Sequence, residues 1–127
     1  MYRQFTEQAE KYAKSLRDQD DIASELRRKL ADLMALGEAN ADAACRALRL
    51  SRRTLQRRLK AEKTSFQRVL NEVRADLAVR YLRDARLKSL EIAMLLGYSN
   101  LSSFTTAFKS WYDMPPKAYR QRFLAAG

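Results

Sequence analysis

The sequence predicts an all-α protein: two helix-turn-helix units joined by one long helix, with a further helix ahead of them. Three observations predict it. The stretch Ser65–Arg83 carries Phe66, Val69, Leu70, Val73, Leu77 and Tyr81 at helical spacing, a single stripe on a 3.6-residue period. A short helical hairpin lies on each side of that stretch, and the second helix of the first hairpin is strongly basic. The two hairpins also repeat one another. Aligning Ser51 with Ser99 puts Leu48 on Leu96, Leu50 on Tyr98 and Cys45 on Ala93; one extra residue in the second copy then puts Leu55 on Phe104, Leu59 on Phe108 and Lys60 on Lys109. A repeat of about 48 residues is a stronger signal than either hairpin alone.

In chain order, residues 1–20 open with Tyr2, Phe5, Ala9, Tyr12 and Leu16, alternating by three and four as heptad a and d positions do. Two heptads suit either a dimerising helix or a linker helix lying against its own domain. Gln19-Asp20-Asp21 ends that pattern and offers Asp20 as the N-cap of the next helix, within a domain spanning 21–124. That helix presents Ile22, Leu26, Leu30, Leu33 and Met34 on one face and stops at about Leu36, where Gly37 supplies a left-handed residue. The first helix-turn-helix is placed at 41–62. Asn40 caps Ala41–Leu48, Arg49-Leu50 turns the chain, and Ser51 caps Arg52–Glu62, with Leu55 and Leu59 inward.

Thr64 with Gln67 reads as a capping box for the linking helix, set at 65–84. The second helix-turn-helix is placed at 89–112: Ser89 caps Leu90–Leu96, Gly97 makes the turn, and Leu101–Tyr112 turns Phe104 and Phe108 inward. Ile92, Leu96 and Tyr112 join those two as core, Trp111 sits at the domain edge, and Cys45 takes a small buried position. Pro115-Pro116 opens a last helix whose Tyr119 and Phe123 are expected to fold back on the second hairpin. A linking helix of about 20 residues rises about 30 Å, close to the roughly 34 Å turn of B-form DNA.

Composition narrows the function. Residues 1–40 carry seven basic and eight acidic side chains, whereas residues 41–127 carry 18 basic and seven acidic, a net charge of +11. That asymmetry points to a polyanion as partner of the C-terminal two-thirds. No apolar run approaches the roughly 18 residues of a membrane span, and no signal-peptide pattern follows Met1. A single cysteine and the absence of histidine leave no disulfide framework, no zinc ligand set and no histidine-based catalytic dyad. The chain is therefore read as no enzyme, with no cofactor, no metal and no small-molecule pocket, in a reducing cytoplasm, and on the nucleoid if the polyanion is DNA.

Three motifs in this order resemble the DNA-binding domain of the AraC/XylS family of bacterial transcription regulators. They are Leu50-Ser51-Arg52-Arg53-Thr54-Leu55-Gln56-Arg57-Arg58-Leu59-Lys60; Glu91-Ile92-Ala93-Met94-Leu95-Leu96-Gly97-Tyr98-Ser99; and Phe104-Thr105-Thr106-Ala107-Phe108-Lys109 with Pro115-Pro116-Lys117-Ala118-Tyr119-Arg120. The resemblance covers roughly Ile22–Phe123. It implies two homeodomain-like units whose recognition helices enter successive major grooves on one face of double-stranded DNA, and RNA polymerase as a protein partner. Most members also carry a sensor domain, for which 127 residues leave no room. The sequence departs from the family at Arg49, Lys63 and Asp113, which stand where glycine is common, and at Thr106, where many members carry Arg.

Site residues follow from which face each helix leaves outward. With Leu55 and Leu59 inward, Arg52, Arg53, Gln56, Arg57 and Lys60 point out. Arg pairs with O6 and N7 of guanine and Gln with N6 and N7 of adenine. The family's base-reading positions fall on Arg53, Gln56 and Arg57; Arg52 joins them, Lys60 suits a phosphate, and Arg58 is expected to pair with an acid such as Glu62. The second recognition helix offers Ser102, Ser103 and Thr106 to bases and Asn100, Thr105 and Lys109 to phosphates. Hydroxyls read bases weakly, so the first unit is expected to carry most discrimination. Ser51, Thr64, Lys117 and Arg120 complete the phosphate set, with backbone N–H groups at the starts of the long and last helices. The competing reading is a dimerisation or partner-docking module working through Tyr2–Leu16, with residual DNA binding.

Overall fold

The computed structural model describes residues 21–124, and the heptad Tyr2–Leu16 and the Asp20 cap lie outside the described residues. Seven helices and a closing π turn account for the regular structure of the described residues, with no strand among them. In order they are α1 (Ile22–Ala35), α2 (Ala41–Leu48), α3 (Arg52–Ala61), α4 (Phe66–Leu82), α5 (Ser89–Leu95), α6 (Leu101–Tyr112) and α7 (Pro116–Tyr119), with the π turn over Arg120–Leu124. None is long and apolar enough to cross a membrane.

Local chemistry sets most boundaries. Asp21 is the N-cap of α1 and its carboxylate accepts the Ser24 N–H at 2.7 Å. Asn40, Ser51 and Asn100 do the same for Ala43, Thr54 and Ser103, at the starts of α2, α3 and α6. Three expected caps shift by one residue, the first being Asp21 in place of Asp20 at α1. Ser65, not Thr64, caps α4, and its hydroxyl accepts from Arg68 at 3.2 Å. Ser89 is the first residue of α5; the N-cap position is Lys88, whose N–H is accepted by the Glu91 carboxylate at 3.2 Å. At α4 the cap falls to Ser65, whose backbone is extended and whose hydroxyl serves as well as that of Thr64 would; at α5 the extended residue is Lys88, which has no capping oxygen, and the Glu91 carboxylate takes its N–H instead.

The three positions that depart from the family's glycines are the only non-glycine residues with positive φ among the described residues: Arg49 at 57°, Lys63 at 62° and Asp113 at 62°. Each follows a helix. Arg49 and Gly97 are repeat mates, and the flanking bonds repeat too: Leu50 N–H to the Cys45 carbonyl at 3.0 Å, Tyr98 N–H to the Ala93 carbonyl at 2.9 Å. A side chain in the left-handed region costs about 1–2 kcal/mol. Replacing Lys63 by Gly relieves that but frees the unfolded chain, so Lys63→Gly should gain about 1 kcal/mol at most and raise the melting temperature by a few degrees. Lys63→Ala, which keeps the Cβ, should show no such gain in the same thermal melt.

The core runs through both units without a break. In the first, Ile22, Leu26 and Leu30 of α1 meet Ala44, Leu55, Leu59 and Val69; in the second, Ile92, Ala93 and Leu96 meet Phe104, Phe108 and Leu82, all buried. The shared helix α4 departs from the single stripe expected for it. Val69, Leu70 and Val73 are buried in its first half, but Ala78 and Leu82 are buried in its second, with Leu77 and Tyr81 only partly covered. At 3.6 residues per turn the two sets face directions about 150° apart. One face serves each unit, which a single stripe cannot do. At 17 residues α4 rises about 25 Å, so the groove-to-groove spacing depends on where each unit packs, not on helix length alone.

The last helix is also shorter than expected. Tyr119 packs edge-on to Phe108, with ring centroids 5.5 Å apart, but Phe123 stays more than half exposed and touches Tyr119 at 4.9 Å. The chain has changed to a π turn by then, and the turn carries Phe123 off the hairpin.

Candidate nucleic-acid interface

The outward face of α3 is built by its inward one. Leu55 and Leu59 are at most 2% exposed, which fixes the helix in rotation and leaves Arg52, Arg53, Gln56, Arg57 and Lys60 outside. Arg53, Gln56, Arg57 and Lys60 make no hydrogen bond or ion pair among the described residues, so their donors face solvent. Arg52 differs: its Nε donates to Asp42 Oδ1 of α2 at 2.8 Å, in a pair whose side chains are both more than 60% exposed. Such a pair is weak and salt-screened, and Arg52 can exchange it for a phosphate or a base. Arg58 does not pair with Glu62. That carboxylate instead accepts the backbone N–H groups of Ile22 at 3.0 Å and Ala23 at 3.1 Å, closing the start of α1 from the end of α3.

The second recognition helix follows the same plan with different chemistry. Phe104 and Phe108 are fully buried, and Ser102, Ser103, Thr106 and Lys109 are exposed, with Thr105 half-buried beside them. Asn100 is exposed, but its carboxamide oxygen is occupied as the helix cap, which leaves only its amide NH2 to donate outward. Ser51 is likewise committed: its oxygen accepts from the Thr54 N–H at 3.1 Å and shares a hydrogen bond with the Thr54 hydroxyl at 3.0 Å. The repeat places Arg53, Gln56 and Arg57 at the same helical positions as Ser102, Thr105 and Thr106.

Two residues of the expected phosphate set point elsewhere. The Thr64 hydroxyl oxygen is buried, with no hydrogen-bond partner among the described residues, because the turn after the left-handed Lys63 directs it inward. Arg120 spends its guanidinium on the end of α4: Nε donates to the Leu82 carbonyl at 2.9 Å and a terminal nitrogen to the Asp84 carbonyl at 3.1 Å. A cation there satisfies carbonyls with no partner inside the helix and complements the negative end of the helix dipole. Lys117 remains exposed as expected. The start of α7 is a poor anion cradle, since Pro115 and Pro116 bring no N–H to it.

Other contacts escaped the sequence reading. Tyr112 of α6 donates its hydroxyl hydrogen to the Ala75 carbonyl at 2.8 Å, and burial pushes the phenol above its ordinary value, with Asp76 and Tyr119 adding to the effect, so it stays a donor at neutral pH. Arg74 of α4 donates to the Leu96 carbonyl at 2.9 Å. Tyr112 was expected as core, but its hydroxyl bond to α4, like that of Arg74 to the second unit, joins residues too far apart in sequence for spacing to pair them. No group of three His, Cys, Asp or Glu among the described residues stands where it could hold a metal ion.

Comparison with known proteins places this arrangement. A helix-turn-helix domain family matches residues 44–122, more than half of the chain. The ornithine utilization regulator of Pseudomonas aeruginosa is 42% identical over 78 residues, covering 61% of this chain and 23% of that protein. Among solved structures, a DNA-binding transcriptional dual regulator from Escherichia coli K-12 superposes with a TM-score of 0.76 at 24% identity, over 82% of this chain and 93% of that one. The C-terminal domain of AraT, a response regulator from Geobacillus stearothermophilus, gives 0.70 at 26% identity, over 83% and 88%. The chain spans about a quarter of the length of the curated relatives it matches, between 20% and 26% of the first few. With two repeated helix-turn-helix units on one shared helix, each turning a polar recognition face outward, and with these relatives, the chain belongs to the AraC/XylS family of helix-turn-helix transcription regulators.

Proposed function

We propose that the chain binds double-stranded DNA sequence-specifically, laying α3 and α6 in successive major grooves, and thereby controls transcription. The observation that carries this is the outward face of α3, where Arg53, Gln56, Arg57 and Lys60 are exposed with no intramolecular partner among the described residues. A surface pays no penalty for breaking bonds it has not made, so these donors are available to base edges and phosphates. Arg53, Gln56 and Arg57, with Arg52 released from Asp42, read bases in the first groove; Ser102, Ser103 and Thr106 read weakly in the second. Lys60, Thr105, Lys109, Lys117, the Asn100 amide and the Ser51 edge of α3 hold phosphates. RNA polymerase is the protein partner within this proposal, with self-association through Tyr2–Leu16 as a second contact and the cytoplasmic nucleoid as the place of action.

Selection of bound sequences from a random duplex library tests the division of labour. Arg57→Ala should cost about 1–3 kcal/mol on the preferred site and relax one or two base positions, while Lys109→Ala should weaken all sequences alike and lower the salt slope by about one. Thr106→Ala should change little, and Thr106→Arg should create a new base preference in the second groove. If Thr106→Ala relaxes specificity as much as Arg57→Ala, the two halves read equally and the division is wrong.

A further inference from the structure

We propose that Arg74 is the positioning residue that sets the second recognition helix relative to the first, an inference that rests on the DNA-binding reading for its consequence but not for its geometry. One guanidinium touches two residues of the second unit's turn, Leu96 and Tyr98, on either side of Gly97. Its Nε donates to the Leu96 carbonyl at 2.9 Å, and its carbon lies 4.7 Å from the centroid of the Tyr98 ring. Tyr98 in turn packs on Phe104 in the first turn of α6, at 5.8 Å between ring centroids, and Phe104 is fully buried. The path from the shared helix to the recognition helix is therefore Arg74, Tyr98, Phe104.

The residue types suit the task. A guanidinium is planar, so it offers in-plane N–H donors to a carbonyl while laying its face on an aromatic ring; a lysine ammonium is a point charge that cannot do both. Gly97, between Leu96 and Tyr98, has a φ of +88°, a backbone shape that favours glycine. The first unit's matching turn is built differently among the described residues. It carries exposed Arg49, and Leu48 and Leu50 simply pack on the core.

Position on the molecule gives the contact its leverage. A cleft of about 250 Å³ separates the units here, with Met34, Gly37 and Ala39 on one side, Met94 and Leu95 on the other, and Arg74 in its wall. Apolar packing between the units is incomplete at this point. The other polar anchors of the second unit on α4 are Tyr112 on Ala75 and Arg120 on Leu82 and Asp84, and both belong to the far end of α6 and the segment after it. Without Arg74 the start of α6, the end that enters the groove, keeps its apolar packing at Phe104 but loses its polar tie to α4.

The geometry is testable without DNA. In a Cys45→Ala background, Ala47→Cys on α2 and Leu90→Cys on α5 give two exposed sites for spin labels. Arg74→Met and Arg74→Lys should each broaden the interlabel distance distribution while helical circular dichroism is unchanged. Should Arg74→Met fail to fold, Tyr98→Leu removes the stacking half of the clamp and should broaden the distribution by a smaller amount. On a site selected by the parent protein, a hydroxyl-radical footprint of Arg74→Lys should lose protection in the second groove and keep it in the first, with affinity down about tenfold. An unchanged distance distribution, full function with Lys, or protection weakened equally in both grooves would overturn the proposal. If the parent protein protects no DNA, the DNA-binding reading fails, and the distance measurement still decides on Arg74.

Discussion

Between 50 and 200 mM salt, affinity for duplex DNA should fall by about 10³ or more. Each Lys or Arg seated on a phosphate releases a condensed counterion, and six or more such contacts give a drop of this size. The chain holds a net charge of +11 over residues 41–127, and the cations on the recognition faces, Arg53, Arg57, Lys60 and Lys109, are exposed. In the proposed complex Lys60, Lys109 and Lys117 sit on phosphates, and the base-reading Arg52, Arg53 and Arg57 bring three more positive charges between the phosphate strands, six cations in all; Arg120 is held on backbone carbonyls and is not counted. Fluorescence anisotropy of a labelled duplex over a salt series measures the slope directly. A nearly flat response would remove DNA as the principal partner and favour the docking-module reading.

The second large effect is on folding. Phe108→Ala should destabilise the protein by about 3–5 kcal/mol, the cost of deleting a buried ring and leaving a cavity. Phe108 is fully buried and central to the aromatic cluster of the second unit. It meets Phe104 at 5.8 Å, Tyr112 at 4.8 Å, Tyr119 at 5.5 Å and Trp111 at 6.3 Å between ring centroids. Its loss therefore loosens α6 from α4 and from the chain end together. With a denaturant slope of about 2 kcal/mol per molar, the urea midpoint should fall by about 2 M. Phe123→Ala is the contrast: that ring is mostly exposed, and its removal should move stability by no more than about 0.5 kcal/mol. Equal losses from the two substitutions would mean that the cluster around Phe108 does not hold the second unit.

Much of this protein was determined by sequence alone because its signals are local. Ala41–Leu48 and Leu101–Tyr112 have the predicted limits, since a cap and the residues it serves lie within one turn. The inward faces of α3 and α6 follow from pairs of apolar residues four apart, and those pairs expose Arg53, Arg57, Ser102 and Thr106 without any tertiary information. The left-handed turns at Arg49, Lys63 and Asp113 were legible as departures from glycine, because a backbone of that shape is demanded by the helix ending just before it.

What only the tertiary structure decided involves partners far apart in sequence. Whether α4 shows one stripe or two faces depends on where two units dock, and Ala78, too small to mark a stripe, became fully buried while Leu77 did not. Glu62 closes the start of α1 from 40 residues away. Arg74 and Arg120 reach carbonyls 22 and 38 residues distant. Periodicity records which face of a helix is apolar, but a long charged side chain with a mobile stem takes whichever backbone carbonyl or N–H docking brings within its reach, and no spacing encodes that. For this reason Arg120 read as a phosphate ligand and proved to be an anchor, while the bond from Arg74 to Leu96 had no sign in the sequence at all.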